Sequence, residues 1–491
     1  MKRFLTLCCF LSAISHSGAQ FSVQYNPALQ PENNMQYFTP SGNLFVGDCI
    51  PFFHNNTYYL YWLVDSAHHR ALNGLGGHQW VLSTSKDLKK WKHYPVVLGI
   101  DEEWEKSICT GSVVYTNNKF YAYYATRLIN NEGKVNERLS YAVSNDGITF
   151  KKQKPNPFYM SAPGYSEKDF RDPKVIVDSS GVFHLFVSSK KNNSLMQVAD
   201  GALVHLTSKD LKKWEVKEPL LTGQQSVPEC PDHFYWNGWY YLVYGHSGNT
   251  FYVKSRNPYG PWQEPQYQTL NEDWSNVAKT AEFANGRRIA AAWIPSRRDN
   301  KDNEREIFGG SAVFREVVQH EDGTLGTKFP SEMIPATSAS LPLKLIHDSM
   351  TTTPDPENYL ISAPNGVGAG YFENIPVNCR ITLEIEPLGN NEEYGLYVRS
   401  NVKATGGYKL NFSSNNRTVT LANTSIYAVD GLNNNINIDI IMKNDIIDVC
   451  IDNRRCIVNR LPEQKGSMLW LFAKHGYVKF KSIKISPLLE N

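Results

Sequence analysis

The chain has 491 residues, more than one ordinary hydrophobic core accommodates, so its length predicts two domains. Hydrophobic residues make up 41% and charged residues 20%, which is typical of a globular protein and argues against a disordered one. The formal net charge is only +2 and the basic residues are scattered, which argues against nucleic acid as the main partner.

The first element along the chain is predicted to be a signal peptide. Two basic residues precede an apolar stretch, residues 4–14, that is too short to span a bilayer. Small residues just before Gln20 predict a cleaved segment over residues 1–19, and therefore a periplasmic or secreted protein without a membrane span. A lipoprotein is the less favoured alternative, because Leu7 stands where a small residue should precede Cys8.

Residues 20–338 repeat a hairpin pattern, in which a turn rich in Asn, Asp and Gly leads into an alternating aromatic strand. The five copies run over residues 50–62, 112–124, 174–187, 232–244 and 280–293. Asn and Gly tolerate the positive φ angles of tight turns, so the pattern has a structural cause. Five copies predict a five-bladed β-propeller with four strands in each blade.

A second repeat lies between the copies of the first. The motif SKDLKKW at residues 85–91 returns unchanged at residues 208–214, and looser copies occupy residues 144–150 and 255–262. Each copy is interpreted as a turn whose aromatic residue closes back onto its own sheet. Two interleaved repeats in register favour a repeated blade over a set of unrelated hairpins.

The propeller pattern ends near residue 335, and residues 340–360 resemble a linker. Short alternating strands with frequent turns then predict a β-sandwich over residues 339–491, so the whole fold is expected to be all-β. Cys450 and Cys456 flank a turn in this region. An exported protein permits a disulfide between them, and two free thiols are the equally open alternative.

Three acids occupy the same position in three of the predicted hairpins. Asp48, Asp172 and Glu229 each stand eleven residues before an aromatic residue of the following strand. The inner strands of a propeller run in one direction along the channel, so we expect these carboxylates to share a pocket. Crowding should raise the pKa of at least one of them, and a mixed protonation state suits glycoside hydrolysis of a carbohydrate substrate. A turn-forming role for each acid, or a calcium site, is the alternative.

These motifs, in this order, resemble glycoside hydrolase family 32, the invertases, inulinases and levanases, over about residues 40–490. Residues 171–173, Arg-Asp-Pro, and residues 229–230, Glu-Cys, are similar to two motifs of that family. Residues 109–112 are similar to its Phe-Ser-Gly-Ser stretch, and residues 77–91 to its segment from Trp-Gly-His to the second Trp. Residues 309–316 are similar to the segment that closes the fifth blade.

The resemblance implies a retaining, exo-acting enzyme that cleaves β-fructofuranosides such as sucrose or the ends of fructans. Asp48 would be the nucleophile and Glu229 the general acid and base. Asp172, with Arg171 beside it, would hold two sugar hydroxyls and stabilise the transition state. Retention of configuration at the anomeric carbon implies that the Asp48 and Glu229 carboxyls lie roughly 5–5.5 Å apart. No metal or organic cofactor is implied.

The chain departs from the family around the proposed nucleophile. Gly47 replaces an Asn, the Pro-Asn-Gly after the acid is missing, and Leu63 replaces a Gln. Another furanosidase, a transglycosylase, or a carbohydrate-binding protein without turnover therefore stays open. A Gly-rich loop at residues 68–77 is expected to cover the channel mouth. Further candidate sugar contacts, each with packing as its alternative, are His78, Trp80, Trp104, Thr110, His233, His246 and Trp293.

Overall fold

The structure is a computed structural model that describes residues 23–489, apart from residues 268, 272, 348–350, 356–357 and 402–405. The side chains of residues 197, 347 and 351–355 are also left undescribed. The predicted signal peptide lies outside the described residues. None of the helices in the described part has the length and apolar character needed to cross a lipid bilayer.

Strands dominate the part of the chain that is described, and helices are confined to single turns. One short helix, α1, spans Ala71–Gly74. Short 3-10 turns occur at Pro27–Leu29, Gln197–Ala199, Ala284–Gly286, Arg298–Asn300 and Ser331–Met333. The all-β prediction is confirmed.

Within the described residues, twenty strands form five blades of four antiparallel strands each. Blade 1 contains β1 (Phe45–His54), β2 (Thr57–Asp65), β3 (Gln79–Ser85) and β4 (Lys92–Leu98). Blade 2 contains β5 (Ser107–Thr116), β6 (Lys119–Ile129), β7 (Val135–Ser144) and β8 (Lys151–Lys152). Blade 3 contains β9 (Tyr165–Val177), β10 (Phe183–Lys191), β11 (Gly201–Ser208) and β12 (Glu215–Gln224). Blade 4 contains β13 (Glu229–Trp236), β14 (Trp239–His246), β15 (Asn249–Ser255) and β16 (Thr269–Asn271). Blade 5 contains β17 (Asn276–Phe283), β18 (Arg287–Arg297), β19 (Glu306–Gln319) and β20 (Leu325–Lys328).

The ring closes where blade 5 meets blade 1. Val46 of β1 pairs with Gly310 of β19. The segment before β1 adds two further bonds, because the Tyr37 N–H donates to the Ala312 carbonyl and the Ala312 N–H donates to the Phe38 carbonyl. The start of the propeller is therefore bonded to its end.

The hairpin turns have the backbone conformation that their sequences predict. Asn55 and Asn56 join β1 to β2 with φ angles of 45° and 54°, and Asn117 and Asn118 join β5 to β6 with φ angles of 49° and 56°. Asparagine adopts this left-handed region at little cost, which explains its place at these turns.

The SKDLKKW repeat forms the same hydrogen-bonded turn in blades 1 and 3. The Asp87 carboxylate accepts the N–H groups of Lys89 and Lys90, both at 2.9 Å. The Asp210 carboxylate accepts the N–H groups of Lys212 and Lys213, both at 2.8 Å. One short side chain thus replaces the backbone acceptors that the turn lacks.

The aromatic residue at the end of each repeat packs against its own blade, against a neighbouring blade, or against both. Trp91 lies 6.1 Å from Tyr58 of its own blade, and Trp262 lies 6.1 Å from His233 of its own blade. Trp214 follows β11 of blade 3, yet its ring lies 6.1 Å from that of Tyr123 in blade 2. Phe150 of blade 2 similarly packs 5.9 Å from Tyr61 in blade 1. The Trp214 and Phe150 rings also pack on core clusters that contain residues of their own blades, so they fill the space between neighbouring blades.

The remaining twelve strands of the described residues form one continuous sheet that folds into two layers. The first six are β21 (Ile346–His347), β22 (Thr351–Asp355), β23 (Asn358–Phe372), β24 (Cys379–Leu388), β25 (Glu393–Ser400) and β26 (Tyr408–Ser413). The others are β27 (Thr418–Leu421), β28 (Thr424–Ile426), β29 (Ile436–Lys443), β30 (Ile446–Ile451), β31 (Arg455–Arg460) and β32 (Met468–Pro487). The long strand β32 joins the layers, because it pairs with β23, β24 and β25 in turn.

Buried polar contacts join this sheet to the propeller. The Asp448 carboxylate of β30 accepts bonds from Arg315 of β19 and from the Tyr37 hydroxyl, each at 2.7 Å. A buried charge requires such partners, so these contacts fix how the two parts pack. The proposed boundary at residues 338–339 lies between β20 and β21.

Cys450 and Cys456 face each other across the β30–β31 hairpin, as the sequence suggested. Both are buried free thiols, so the structure contains no disulfide between them. The Cys456 thiol donates to the Thr327 carbonyl of β20 at 3.5 Å. The pair therefore lies where the sheet packs against blade 5.

Candidate active site

Each inner strand of the five described blades carries a β-bulge. The register shifts fall between Val46 and Cys49, Ile108 and Gly111, Arg171 and Lys174, Glu229 and Asp232, and Asn276 and Lys279. A bulge bends the strand and re-aims its side chains. The repeated bulge explains why polar side chains from different blades turn toward one end of the channel.

The three predicted carboxylates lie in one cavity of about 570 Å³, which is large enough for a small sugar ligand. Asp48 comes from blade 1, Asp172 from blade 3 and Glu229 from blade 4. The Asp172 side chain is only 7% exposed, whereas that of Glu229 is 45% exposed. Glu229 therefore lies nearer the mouth, and Asp172 lies deeper.

Both carboxylate oxygens of Asp48 accept hydrogen bonds. The Trp293 indole N–H donates to Oδ1 at 3.0 Å, and the Thr110 hydroxyl donates to Oδ2. The Cys230 thiol lies 3.7 Å from the same Oδ2. These three contacts, from blades 5, 2 and 4, fix the orientation of the carboxylate.

Asp172 is the most buried of the three acids and has a left-handed φ of 54°. The Cys230 N–H donates to its Oδ2 at 3.1 Å, and Arg171 Nε lies 3.6 Å from the same oxygen. Burial raises the pKa of Asp172 to about 7, with Arg171 opposing the shift and Asp48 adding to it. Strained backbone together with a perturbed carboxyl is typical of a functional site.

Arg171 connects Asp172 to Glu229. One of its terminal N–H groups donates to Glu229 Oε1 at 3.0 Å, and another donates to Asp169 at 2.8 Å. Arg171 is therefore surrounded by carboxylates, which raises its pKa well above the usual value despite its burial. Because it contacts two of the three predicted acids, a change in its position would affect both.

A charged network behind Arg171 was missed in the sequence. Glu137 of β7 lies 3.6 Å from Arg171 and accepts two bonds from Arg127, at 2.7 and 3.1 Å. Arg127 also bonds His69 Nε2 at 2.7 Å. The available signal was a run of polar residues, Asn136 to Arg138, inside a strand with alternating pattern.

An aromatic wall lies beside Asp48, because Trp293, which donates to the Asp48 carboxylate, belongs to it. The Phe308 ring lies between His78 and Trp293, with centroid distances of 4.7 and 4.8 Å. A Cβ atom at Gly47 would lie 2.9 Å from this ring and 3.2 Å from Leu63. Gly47 therefore makes room for Phe308, and the departure from the family motif is coupled to a ring that the sequence did not single out.

The Gly-rich loop at residues 68–77 forms part of the cavity wall through His69 and Gly74. The Asp65 carboxylate holds the loop, because it accepts the N–H groups of His68 and His69 at 2.6 and 2.9 Å. His78 lies 3.2 Å from the same carboxylate. Burial lowers the pKa of His69 to about 4, so its ring is neutral at pH 7.

The predicted sugar contacts divide into two groups. Those that line the cavity are Arg171, His78, Thr110, His246 and Trp293, whereas Trp80, Trp104 and His233 do not line it. Trp80 is buried behind the wall and donates its indole N–H to the Cys109 carbonyl at 2.9 Å. His233 is buried between blades 3 and 4, with Nε2 2.6 Å from the Pro258 carbonyl. Both side chains pack between blades in this structure, so the packing alternative fits their positions.

Calcium binding was an alternative role for these acids. Among the residues with described positions, no three His, Cys, Asp or Glu side chains are arranged to hold a metal ion. The Cys49 thiol donates to the Ala292 carbonyl at 3.4 Å, which is a packing role.

The amino-acid sequence is similar to those of known glycosyl hydrolases. Residues 38–326 match the family described as Glycosyl hydrolases family 32 N-terminal domain. Levanase of Bacillus subtilis is 25% identical over 545 residues, covering 99% of this chain and 73% of the levanase. Sucrose-6-phosphate hydrolase of Escherichia coli is 25% identical over 281 residues, covering 52% of this chain and 57% of that protein. The chain thus spans little more than half the length of this second relative.

Solved structures show the same fold at low sequence identity. Exo-inulinase from Aspergillus awamori is 15% identical with a TM-score of 0.70, and the match covers 95% of this chain and all of that one. Sucrose-6-phosphate hydrolase from Lactobacillus gasseri is 15% identical with a TM-score of 0.69, covering 94% of both chains. The propeller followed by a sandwich is therefore shared with these proteins over nearly the whole chain.

Proposed function

The chain belongs to glycosyl hydrolase family 32, and from this premise we propose that it hydrolyses the terminal bonds of β-fructofuranosides. The observation that carries the proposal is the meeting of Asp48, Asp172 and Glu229 in one cavity. Relatives named levanase and sucrose-6-phosphate hydrolase support a fructofuranoside as the substrate. These enzymes act on sugars with the same linkage chemistry, so one mechanism serves all the candidates.

In the first step, Asp48 attacks the anomeric carbon of the terminal sugar. A bond forms between a carboxylate oxygen and that carbon while the bond to the leaving oxygen breaks, and Glu229 gives its proton to the leaving oxygen. The bonds from Thr110 and Trp293 support this role, because they hold the attacking carboxylate in one orientation before substrate binds.

In the second step, Glu229 is a carboxylate and takes a proton from water. The water oxygen attacks the anomeric carbon, and Asp48 leaves as a carboxylate with retention of configuration. Asp172 and Arg171 would hold sugar hydroxyls throughout. Their depth in the cavity supports this, since a terminal sugar ring must reach them to sit between Asp48 and Glu229.

A second candidate keeps the mechanism and changes the sugar. Phe308 and Leu63 place apolar surface beside Asp48, where Gly47 also removes a polar side chain of the family motif. A wall of this kind favours a furanoside with other substituents than fructose, such as an arabinofuranoside. The polar residues of the family motif would favour fructose. Transfer of the sugar to another sugar in place of water is the same chemistry with a different acceptor.

We also propose that residues 20–338 are the catalytic domain and that residues 339–491 shield and support it. The buried contact between Asp448 and Arg315 supports a structural role. Export is proposed on residues 1–19 alone, and it predicts a mature protein that begins at Gln20. Intact mass measurement of protein recovered from the periplasm or the medium tests this directly.

The test of function is a screen of the purified chain against sucrose, inulin, levan and arabinan oligomers. Asp48→Ala and Glu229→Gln serve as controls within the same screen. We expect release of fructose by the wild-type protein and loss of this release in both variants. Activity that survives both substitutions would reject the assigned roles, and activity confined to arabinan would select the second candidate.

A further inference from the structure

A group of acceptor oxygens lies beside the catalytic acids, at the junction of blades 4 and 5. A Cβ atom built on Gly248 would lie 3.2 Å from Asp273 Oδ1, 3.6 Å from Asn276 Oδ1 and 3.9 Å from Glu306 Oε1. Gly248, Asn276 and Glu306 also line the main cavity. We call these four residues the acidic cup.

Asn276 indicates that the cup is built to receive a hydrogen-bond donor. Its side chain is only 8% exposed, yet its Oδ1 accepts no hydrogen bond from any described residue. Buried acceptors without a donor are rare and costly in folded proteins. The hydroxyl group of a ligand supplies the missing donor, whereas a second carboxylate or a phosphate oxygen does not.

The cup also carries two carboxyl groups, and the one basic group that acts on Glu306, Arg297, forms no ion pair with it in the described residues. Asp273 and Glu306 form no ion pair within the described residues, and burial raises the pKa of both carboxyls. Across the whole cavity, six acidic side chains face three basic ones, and two of those, Arg127 and Arg171, are already engaged by Glu137 and Glu229. The cup therefore accepts hydroxyl groups and repels anions.

The position of the cup corresponds to the leaving-group side of the reaction. Glu229 is the proposed proton donor to the leaving oxygen, and its charge acts on the neighbouring Glu306. A proton donor must lie within hydrogen-bond reach of the leaving oxygen, so the leaving group would lie beside Glu229 and therefore close to the cup.

We propose that the acidic cup binds the hydroxyl groups of an uncharged hexosyl leaving group and rejects a leaving group that carries phosphate. This inference rests on the proposed function. It separates the chain from its relatives named sucrose-6-phosphate hydrolase, although their sequences are similar over about half of this chain.

Sucrose and sucrose 6-phosphate test the proposal, because they differ only by a phosphate on the leaving glucose. We expect the wild-type kcat/KM to favour sucrose on the order of 100-fold, since like charges brought together cost several kcal/mol. The double variant Asp273→Asn/Glu306→Gln keeps the shape of the cup and removes its charge. In this double variant we expect the preference for sucrose, measured as the ratio of the two kcat/KM values, to fall by about tenfold or more. The main cause should be a lower KM for sucrose 6-phosphate. Glu103→Gln, an exposed change outside the cavity, should leave the ratio unchanged.

The outcomes separate the cup from the proposed function. Efficient cleavage of sucrose 6-phosphate by the wild-type protein, or a ratio that the double variant leaves unchanged, overturns the cup while the fructosidase function stands. Cleavage of fructan without cleavage of sucrose or sucrose 6-phosphate also overturns the proposal for the cup. The cup would then not accept a glucosyl leaving group. No cleavage of any β-fructofuranoside overturns the proposed function and the cup with it.

Discussion

The two walls of the cavity differ in origin. One wall carries Asp48, Asp172 and Glu229, which are held by bulged inner strands and by bonds from several blades. The other wall consists of Gly47 and Phe308 together with the loop at residues 68–77, which are specific to this chain's departures from the family motif. Under the proposed function, the first wall would determine which reaction is possible, and the second would determine which sugar fits.

The largest expected effect concerns the first wall. Glu229→Gln removes the proposed proton donor without changing the size of the side chain, so kcat/KM on the best substrate should fall by about a thousandfold or more. Steady-state kinetics on that substrate give the measurement, and thermal unfolding shows that the variant is folded. Phe308→Leu is the matched change on the second wall, and it should alter the ranking of substrates more than the rate on the best one. Equal losses in the two variants would contradict a division of roles between the walls.

The next effect concerns the network behind the first wall. Glu137→Gln removes the charge that lies between Arg127 and Arg171, so Arg171 should lose its fixed position beside Glu229. We expect kcat/KM to fall by up to about a hundredfold, because small displacements of positioning groups have effects of that size. The pH–rate profile should also shift, since Arg171 contacts both Glu229 and Asp172. A fall in activity with an unchanged profile would assign Glu137 a purely structural role.

A smaller effect is expected from restoring the family residue on the second wall. Gly47→Asn places a side chain where the Phe308 ring now lies, so kcat/KM should fall by about tenfold and the protein should be destabilised by about 1–3 kcal/mol. Phe308→Ala in the same chain should recover part of both losses. Additive effects of the two substitutions, measured in a double-mutant cycle, would show that the residues are not coupled.

The last prediction concerns the pH dependence of stability, and it involves no change in catalytic rate. The folded state keeps a proton on Asp172 up to about pH 7, whereas the unfolded chain releases it near pH 4. The unfolded state therefore binds fewer protons in this window, so the wild-type free energy of unfolding should decrease as pH rises from 4 to 7. Asp172→Asn removes this contribution, and its stability relative to wild type should increase over that window by about 4 kcal/mol at most. Denaturant unfolding at several pH values measures it, and a constant difference between the two proteins would show that Asp172 is ionised in the folded state.

The blades could be predicted from the sequence because their signals are local. The Asn turns and the Asp87 turn depend only on residues within a few positions, and the repeat then places Asp48 and Asp172 equivalently. Phe308 was missed because its role depends on Gly47, which is distant in the sequence. The positions of Trp80 and His233 could not be predicted either, since strand alternation alone does not show whether a side chain faces the channel or the next blade.

The most direct test of the proposed mechanism is methanolysis. A retaining enzyme transfers the sugar from its Asp48 ester to methanol, so cleavage of sucrose in water containing methanol should give methyl β-fructofuranoside, identified by NMR. We predict the β anomer from the wild-type protein and no methyl glycoside from Asp48→Ala. Formation of the α anomer would contradict a covalent intermediate on Asp48 and would indicate a single inverting displacement.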